Sequence, residues 1–389
     1  MLRSFRSLWL IASFAVVSAA QAADPGVSAD KIVFGQAAVL NGPAAALGTG
    51  MRDGILAAFA EANAKGGVKG HKLELVVKDD GYEPNKSIEV TKQLLNDDKV
   101  FGLIGPVGTP TSMAVLPIAV EGNVPFIGAF TGTEALRAPY KASVVNVRAS
   151  YFEETETMVE HLTKDLGASR IAIMYQDDAY GQAGLAGVKK ALEKRNMPLA
   201  AEGTYERNTT AVKGALLAIK RAEPDAVIMI AAYKPAAEFI KLARQIKLNA
   251  TFVNISFVGS NALAKELGSA GGGTVVTQVV PFPSDTAIPV VARYQDALKA
   301  SAPSEQPGFV SLEGYLVGRA IVAALEKVAG EPTRKAFIEA VQKSGGFDLG
   351  GFRLSYSDSS NRGSDQVYLT VIQADGSFKS VTHLDKPKT

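Results

Sequence analysis

The sequence predicts an α/β protein made of two doubly wound parallel-sheet lobes. Three observations carry this. From Lys31 onward, short runs rich in β-branched residues alternate with longer helical runs. That alternation restarts after Asn146. The chain beyond its N-terminal leader, about 365 residues, exceeds one ordinary hydrophobic core.

In the first series, Ile32 to Gly35 reads as a strand and Gly50 to Ala64 as a helix with Met51, Ile55, Ala58 and Phe59 on one face. Leu73–Val77 is a strand and Pro84–Leu95 a helix; Val100–Ile104 is a strand and Thr109–Val120 a helix; Val124–Ile127 is a strand. Apolar runs of this length between helices are the mark of buried parallel strands. The second series gives a helix at Phe152–Leu166, a strand at Arg170–Met174 and a helix at Gly184–Lys194. Strands at Leu199–Tyr205, Ala226–Ile230, Thr251–Val253 and Val275–Val280 then alternate with helices at Val212–Arg221 and Pro235–Gln245. Helix returns around Tyr294 and Leu298 and over Phe309–Leu325, and Phe347–Leu354 and Val367–Ile372 read as strands that complete earlier sheets. Two βαβ series in a row imply two lobes. We expect residues 23–147 and 282–357 to form the first, and 148–281 and 358–389 the second, with a hinge where the chain crosses.

Residues 1–22 read as a secretory signal: Arg3 and Arg6, an apolar run from Leu8 to Val17, and the cleavage pattern Ala20-Gln21-Ala22. The run is short for a bilayer span, which needs about 20 residues. The chain has no cysteine, which excludes disulfides, thiolate metal sites, cysteine nucleophiles and a lipid-anchored cysteine. Together these predict a protein free in the periplasm. Losing Arg3 and Arg6 leaves 39 basic residues against 39 acidic ones, so no charge excess points to nucleic acid or an anionic membrane.

Catalytic chemistry is hard to find. There is no HExxH, CxxC or G-x-S-x-G motif. His71, His161 and His383 are scattered and read as surface residues. Gly271-Gly272-Gly273 follows a helix rather than a strand, so it reads as a tight turn and not a dinucleotide loop. Asp79-Asp80 and Asp177-Asp178 follow strands and read as loop residues or helix caps. We expect no enzyme, no cofactor and no metal.

Two strand-to-helix loops are instead suited to an anion. Gly105 to Ser112 enters a helix whose first turn offers free N–H groups, a positive dipole end and the Thr109 and Thr111 hydroxyls. Ala129-Phe130-Thr131-Gly132-Thr133 follows the next strand, also at a carboxyl edge. Taken singly, each loop reads better as an ordinary helix cap; the two together in an exported two-lobe protein favour a ligand. Tyr180, Tyr233 and Ser256 hold similar positions in the second series, and Tyr151 stands just ahead of its first helix. Such tyrosines either cover a ligand or pack a core.

The chain resembles type I periplasmic binding proteins of the leucine/isoleucine/valine-binding group. The resemblance runs from Lys31 to the last strands. It is carried by Asn41-Gly42-Pro43, Lys78-Asp79-Asp80, Leu103-Ile104-Gly105-Pro106, Pro125-Phe126-Ile127-Gly128, Asp177-Asp178-Ala179-Tyr180-Gly181 and Tyr233-Lys234-Pro235. It implies a Venus-flytrap fold with a three-crossover hinge, a ligand between the lobes and delivery to an inner-membrane ABC permease by a monomeric binding protein. It also implies that Thr109, Phe130 and Thr131 hold the carboxylate end of an amino acid or related small carboxylate. Tyr180 and Tyr233 would close over the ligand, and Phe309 would line its side-chain pocket.

The resemblance breaks at one position. Where the group has a glutamate for the ligand's ammonium, this chain has Ser256, and Leu47 replaces an aromatic. A serine is a weak partner for a buried cation. An amine-free or aromatic carboxylate suits Ser256; alternatively Glu313 supplies the charge, unless it is a solvated helix residue. A signalling subunit of the same fold and a nucleotide-using enzyme are the competing functions.

Overall fold

The computed structural model describes residues 24–386; the expected signal, residues 1–22, lies outside them. The first sheet is built by β1 (Lys31–Ala38), β2 (Lys72–Asp79), β3 (Leu103–Ile104), β4 (Phe126–Ile127) and β5 (Val144–Val145). Their spatial order is β2-β1-β3-β4-β5, all parallel. Between them run α1 (Ala45–Ala64), α2 (Pro84–Asn96) and α3 (Thr109–Glu121). Strand side chains alternate between two buried faces: Phe34, Ile104, Ile127 and Val145 join the cluster on the α1 side, while Ala37, Leu103, Phe126 and Val144 join Leu94, Val115 and Leu116 of α2 and α3. Burial on both faces is what makes these strands read as unbroken apolar runs.

The second lobe repeats the plan. It contains α4 (Tyr151–Lys164), β6 (Ile171–Gln176), α5 (Ala179–Glu193), β7 (Ala201–Tyr205), α6 (Lys213–Arg221), β8 (Ala226–Ile230), α7 (Tyr233–Gln245), β9 (Thr251–Asn254), α8 (Ser260–Leu267) and β10 (Val275–Gln278). The chain then returns to the first lobe with α9 (Pro289–Ser301) and α10 (Phe309–Lys327), both packed on α1, then α11 (Arg334–Lys343) and the antiparallel pair β11 (Phe347–Asp348) and β12 (Arg353–Leu354). Last come β13 (Tyr368–Ile372) and β14 (Phe378–Val381), which add antiparallel strands to the second sheet. That sheet has the order β14-β13-β10-β9-β8-β6-β7. Its parallel part, β7-β6-β8-β9-β10, repeats the order of the first sheet, so each lobe has a switch point beside its first strand, where doubly wound sheets bind ligands.

Several boundaries differ from the sequence reading. The first helix begins at Ala45, not Gly50. Gly48 is no breaker there: a Cβ on it would lie 1.8 Å from the Val39 carbonyl, so glycine lets the helix start against the end of β1. The strand expected over Val100–Ile104 keeps only Leu103–Ile104 as ladder. The short β5, and helices α8 and α11, have too few residues to show a period. His71 is buried, at 9% exposure, in the turn that joins α1 to β2, and His161 pairs with Asp165, so only His383 is an exposed histidine.

The crossings between the lobes are knitted together. Asn146 donates its N–H to Asn361, Ser364 donates to the Val147 carbonyl, and the buried Tyr356 hydroxyl donates to the Asn146 carbonyl at 2.7 Å. This fixes the segment 146–150, which feeds α4.

Candidate functional site

The carboxyl ends of both sheets face one another, and their loops meet in a closed cleft. From the first lobe, Gly108 caps α3 in a conformation with φ of 100°, which sets Thr109 at the first helical position. Thr109 is buried, and its hydroxyl lies 2.6 Å from that of Thr131. Thr131 in turn donates to the Tyr151 hydroxyl at 3.2 Å, so a line of three hydroxyls runs from the helix start of one lobe to that of the other. Gly132 accepts the Tyr151 N–H at 2.7 Å, and a Cβ on it would lie 2.5 Å from the Tyr151 ring. Phe130 is buried beside them.

The second lobe supplies aromatic walls. Asp178 caps α5 by accepting the Tyr180 N–H, which confirms its reading as a helix cap. The Tyr180 ring lies 5.6 Å from Tyr151 and 4.4 Å from Phe257, and Phe257 reaches across to Phe130 at 5.3 Å and Tyr82 at 6.1 Å. Burial pushes the Tyr151 phenol up to about 12 and that of Tyr180 well above its ordinary value, so both are neutral donors. Tyr233 lies at the rim, where its hydroxyl accepts the Ala46 N–H across the cleft. A cavity of about 410 Å³ opens there, lined by Leu47, Gly259 and Asn261 among others. Phe309 is not brought together with this group. It stacks with Phe282 and Phe378 at the junction of α10 with β14.

The centre of the cleft holds a residue that the sequence did not single out. Arg148, 1% exposed, lies with its guanidinium 4.9 Å from the Phe130 ring centroid. It contacts Glu154 at 3.3 Å, Glu313 at 3.6 Å and the Ser256 hydroxyl. Burial works against its charge, but Glu313 and Glu154 overcome this and hold its proton more tightly than usual. Among the described residues, its Nε and Nη1 have no hydrogen-bond partner.

Ser256 does not stand alone where the glutamate was expected. Its N–H and hydroxyl each bond Glu154 at 2.9 Å, and Thr277 donates to the same carboxylate at 2.6 Å. With Arg148, four donors saturate Glu154. Glu313 is buried, not solvated, and desolvation pushes its carboxyl up to about 7. Tyr82, Arg148, Glu154 and Phe257 were missed. Each belongs to a loop or helix end whose local pattern is ordinary.

The comparisons agree with this architecture. The profile of the periplasmic binding protein family matches residues 31–377. A solved structure, a possible leucine/isoleucine/valine-binding protein from Rhodopirellula baltica, is 39% identical with a TM-score of 0.86, covering 93% of this chain and 98% of that one. The Leu/Ile/Val-binding protein homolog 2 of Brucella abortus is 30% identical over 65% of this chain and 68% of its own length. The leucine-, isoleucine-, valine-, threonine- and alanine-binding protein of Pseudomonas aeruginosa is 25% identical over 85% and 87%. With two flavodoxin-ordered lobes and a match over nearly all its described length, the chain belongs to the type I periplasmic binding proteins of the leucine/isoleucine/valine-binding family, which bind ligands and do not catalyse.

Proposed function

We propose that this protein is the periplasmic substrate-binding component of an ABC importer and that it takes up a small carboxylate between its lobes. One observation carries the ligand class: two nitrogens of the buried Arg148 guanidinium make no hydrogen bond, Nε having no partner and Nη1 only the Glu313 carboxylate at 3.6 Å. Cationic donors left without acceptors call for an anion. The rings of Tyr82, Phe130, Tyr151, Tyr180 and Phe257 suit an apolar or flat body behind it. The direct contacts of Phe257 with Phe130 and Tyr82 then mark where the ligand enters when the lobes part.

On this reading Thr109, Thr131 and Arg148 hold the carboxylate, Gly132 and Tyr151 shape its seat, Tyr180 and Phe257 cover it, and Tyr233 closes the rim. Ser256 acts by holding Glu154. The lobes divide at 147/148, 281/282 and 357/358, and the chain, a monomer freed of residues 1–22, presents its closed form to the permease. The relatives' names point to branched-chain amino acids; the departure at Ser256 points away from a fixed ammonium partner.

A thermal shift of the mature protein tests this, comparing leucine, its 2-oxo acid 4-methyl-2-oxopentanoate, and benzoate. A ligand at 100 times its Kd adds about 2.7 kcal/mol. Stabilisation by either amine-free acid above leucine is the expected result. Silence from all three overturns the carboxylate reading.

A further inference from the structure

The three charged groups at the centre of the cleft do not balance. Arg148 faces two carboxylates, Glu154 at 3.3 Å and Glu313 at 3.6 Å, and all three are at most 4% exposed. Glu154 is committed to Arg148, Ser256 and Thr277. Glu313 differs. Among the described residues it makes no hydrogen bond, and Arg148 is its one ionic partner. A ligand carboxylate on Arg148 would be a third anion beside Glu154 and Glu313, with Arg148 the only cation in direct contact with them among the described residues and Arg137 further off, in a place closed to water. Buried like charges are relieved by protonation more readily than by endurance.

We propose that Glu313 is a specificity-determining residue that takes up one proton when an amine-free carboxylate binds Arg148, so that the site accepts the anion and a proton together. This rests on the carboxylate reading above. The groups around Glu313 leave it as the natural proton acceptor. Arg148 from the crossing segment and Arg137 from the turn after β4 are the cations, and Arg137, though burial brings it down to about 10, stays charged. Glu154 faces it from α4. On α1, the neighbouring charges Arg52 and Asp53 pair with each other at 2.8 Å. Burial already pushes Glu313 up to about 7, and a further anion pushes it in the same direction. The protonated acid then has an O–H to donate to the ligand, whereas an α-ammonium at the same place has no lone pair to accept it.

The sign follows from the free protein. Below about pH 7 Glu313 already carries its proton, and affinity for the anion is flat. Above it, binding must bring a proton in, and Kd rises by up to about tenfold per pH unit. For leucine the sign is opposite: its ammonium needs Glu313 ionised, so its Kd falls as pH rises through the same range.

Isothermal titration calorimetry with benzoate, 4-methyl-2-oxopentanoate and leucine, between about pH 6 and about pH 8.5 in two buffers of different protonation enthalpy, reads both quantities. The expected result is weaker binding of an amine-free acid above about pH 7 with uptake of up to about one proton, and a flat profile without uptake in Glu313→Gln. If that variant does not fold, the proton count of the native protein decides alone. Binding of an amine-free acid with no pH dependence and no uptake overturns the role of Glu313 and leaves the carboxylate reading intact. A slope that persists in Glu313→Gln also overturns it. Leucine binding alone, tightening with pH, makes Glu313 an ammonium partner instead. No binding of any of the three overturns both readings.

Discussion

At the scale of single residues, the cleft is a set of donors arranged before any ligand arrives. Thr109 owes its position to the Gly108 cap and to the contact of its buried hydroxyl with Thr131. Thr109→Ala is therefore expected to weaken carboxylate binding by roughly 1.5–3 kcal/mol, the value of a hydrogen bond to a charged group. Without ligand it loses the buried hydrogen bond to Thr131, about 0.5–1.5 kcal/mol, so affinity is read at a temperature where both forms are folded. Unchanged affinity would remove Thr109 from the site. Arg148 differs in kind, because the proposed seat of the anion is also the counter-charge of Glu154 and Glu313. Removing it would leave two buried carboxylates unpaired, a change that confuses binding with folding.

Among the elements, the packing of α1 on α10 sets where Glu313 points. The helices approach so closely that a Cβ on Gly314 would lie 2.3 Å from the Met51 carbonyl and one on Gly54 would lie 1.9 Å from the Ser311 carbonyl. Both obstacles are backbone and cannot swing aside. Gly314→Ala forces the helices apart and is expected to cost about 1–3 kcal/mol by overpacking, read as a lower urea midpoint. Because Glu313 is its neighbour, ligand affinity should fall as well. A variant as stable as the native protein would mean that the two helices are not locked in this register.

For the whole molecule, the structure is a closed clamshell. Across the mouth Arg207 pairs with Glu83 at 2.8 Å, Asn208 donates to Glu83 at 2.7 Å and to the Gly81 carbonyl at 3.1 Å, and Gln176 donates to the Tyr82 hydroxyl at 3.2 Å. Asp178 ties this latch to the start of α5 by holding Arg207 at 3.0 Å and Gln176 at 2.7 Å. The contacts to Gly81, Tyr82 and Glu83 are made only when the lobes meet, and most are partly exposed, so together they bias closure without fixing it. X-ray scattering should show a smaller radius of gyration on adding a saturating amine-free acid, approaching that of the closed form. Arg207→Ala should reduce the closed fraction at equal ligand occupancy. No compaction at saturation would sink hinge closure as the binding mechanism.

The sequence by itself determined the layered architecture, because strand runs and helical faces are local patterns set by side-chain period. Asn146 marked the restart of the second series, and the loop at Thr109 was legible because a helix start after a strand offers its N–H groups whatever the rest of the chain does; Phe130–Gly132 leads only into the 3₁₀ turn Glu134–Leu136. Tertiary structure alone decided the charge at the centre. Arg148 lies in an unremarkable loop segment, Glu154 reads as one more acidic residue of α4, and Glu313 reads either as a counter-charge for a ligand or as a solvated helix residue. They become a buried ion cluster only because the lobes fold toward each other and α10 returns to pack on α1. Ser256 shows the same limit. Its identity could be read, but its bond to Glu154, 102 positions away, could not. Burial and long-range pairing are properties of the assembled lobes, and they govern which ionisable group in this protein can take a proton.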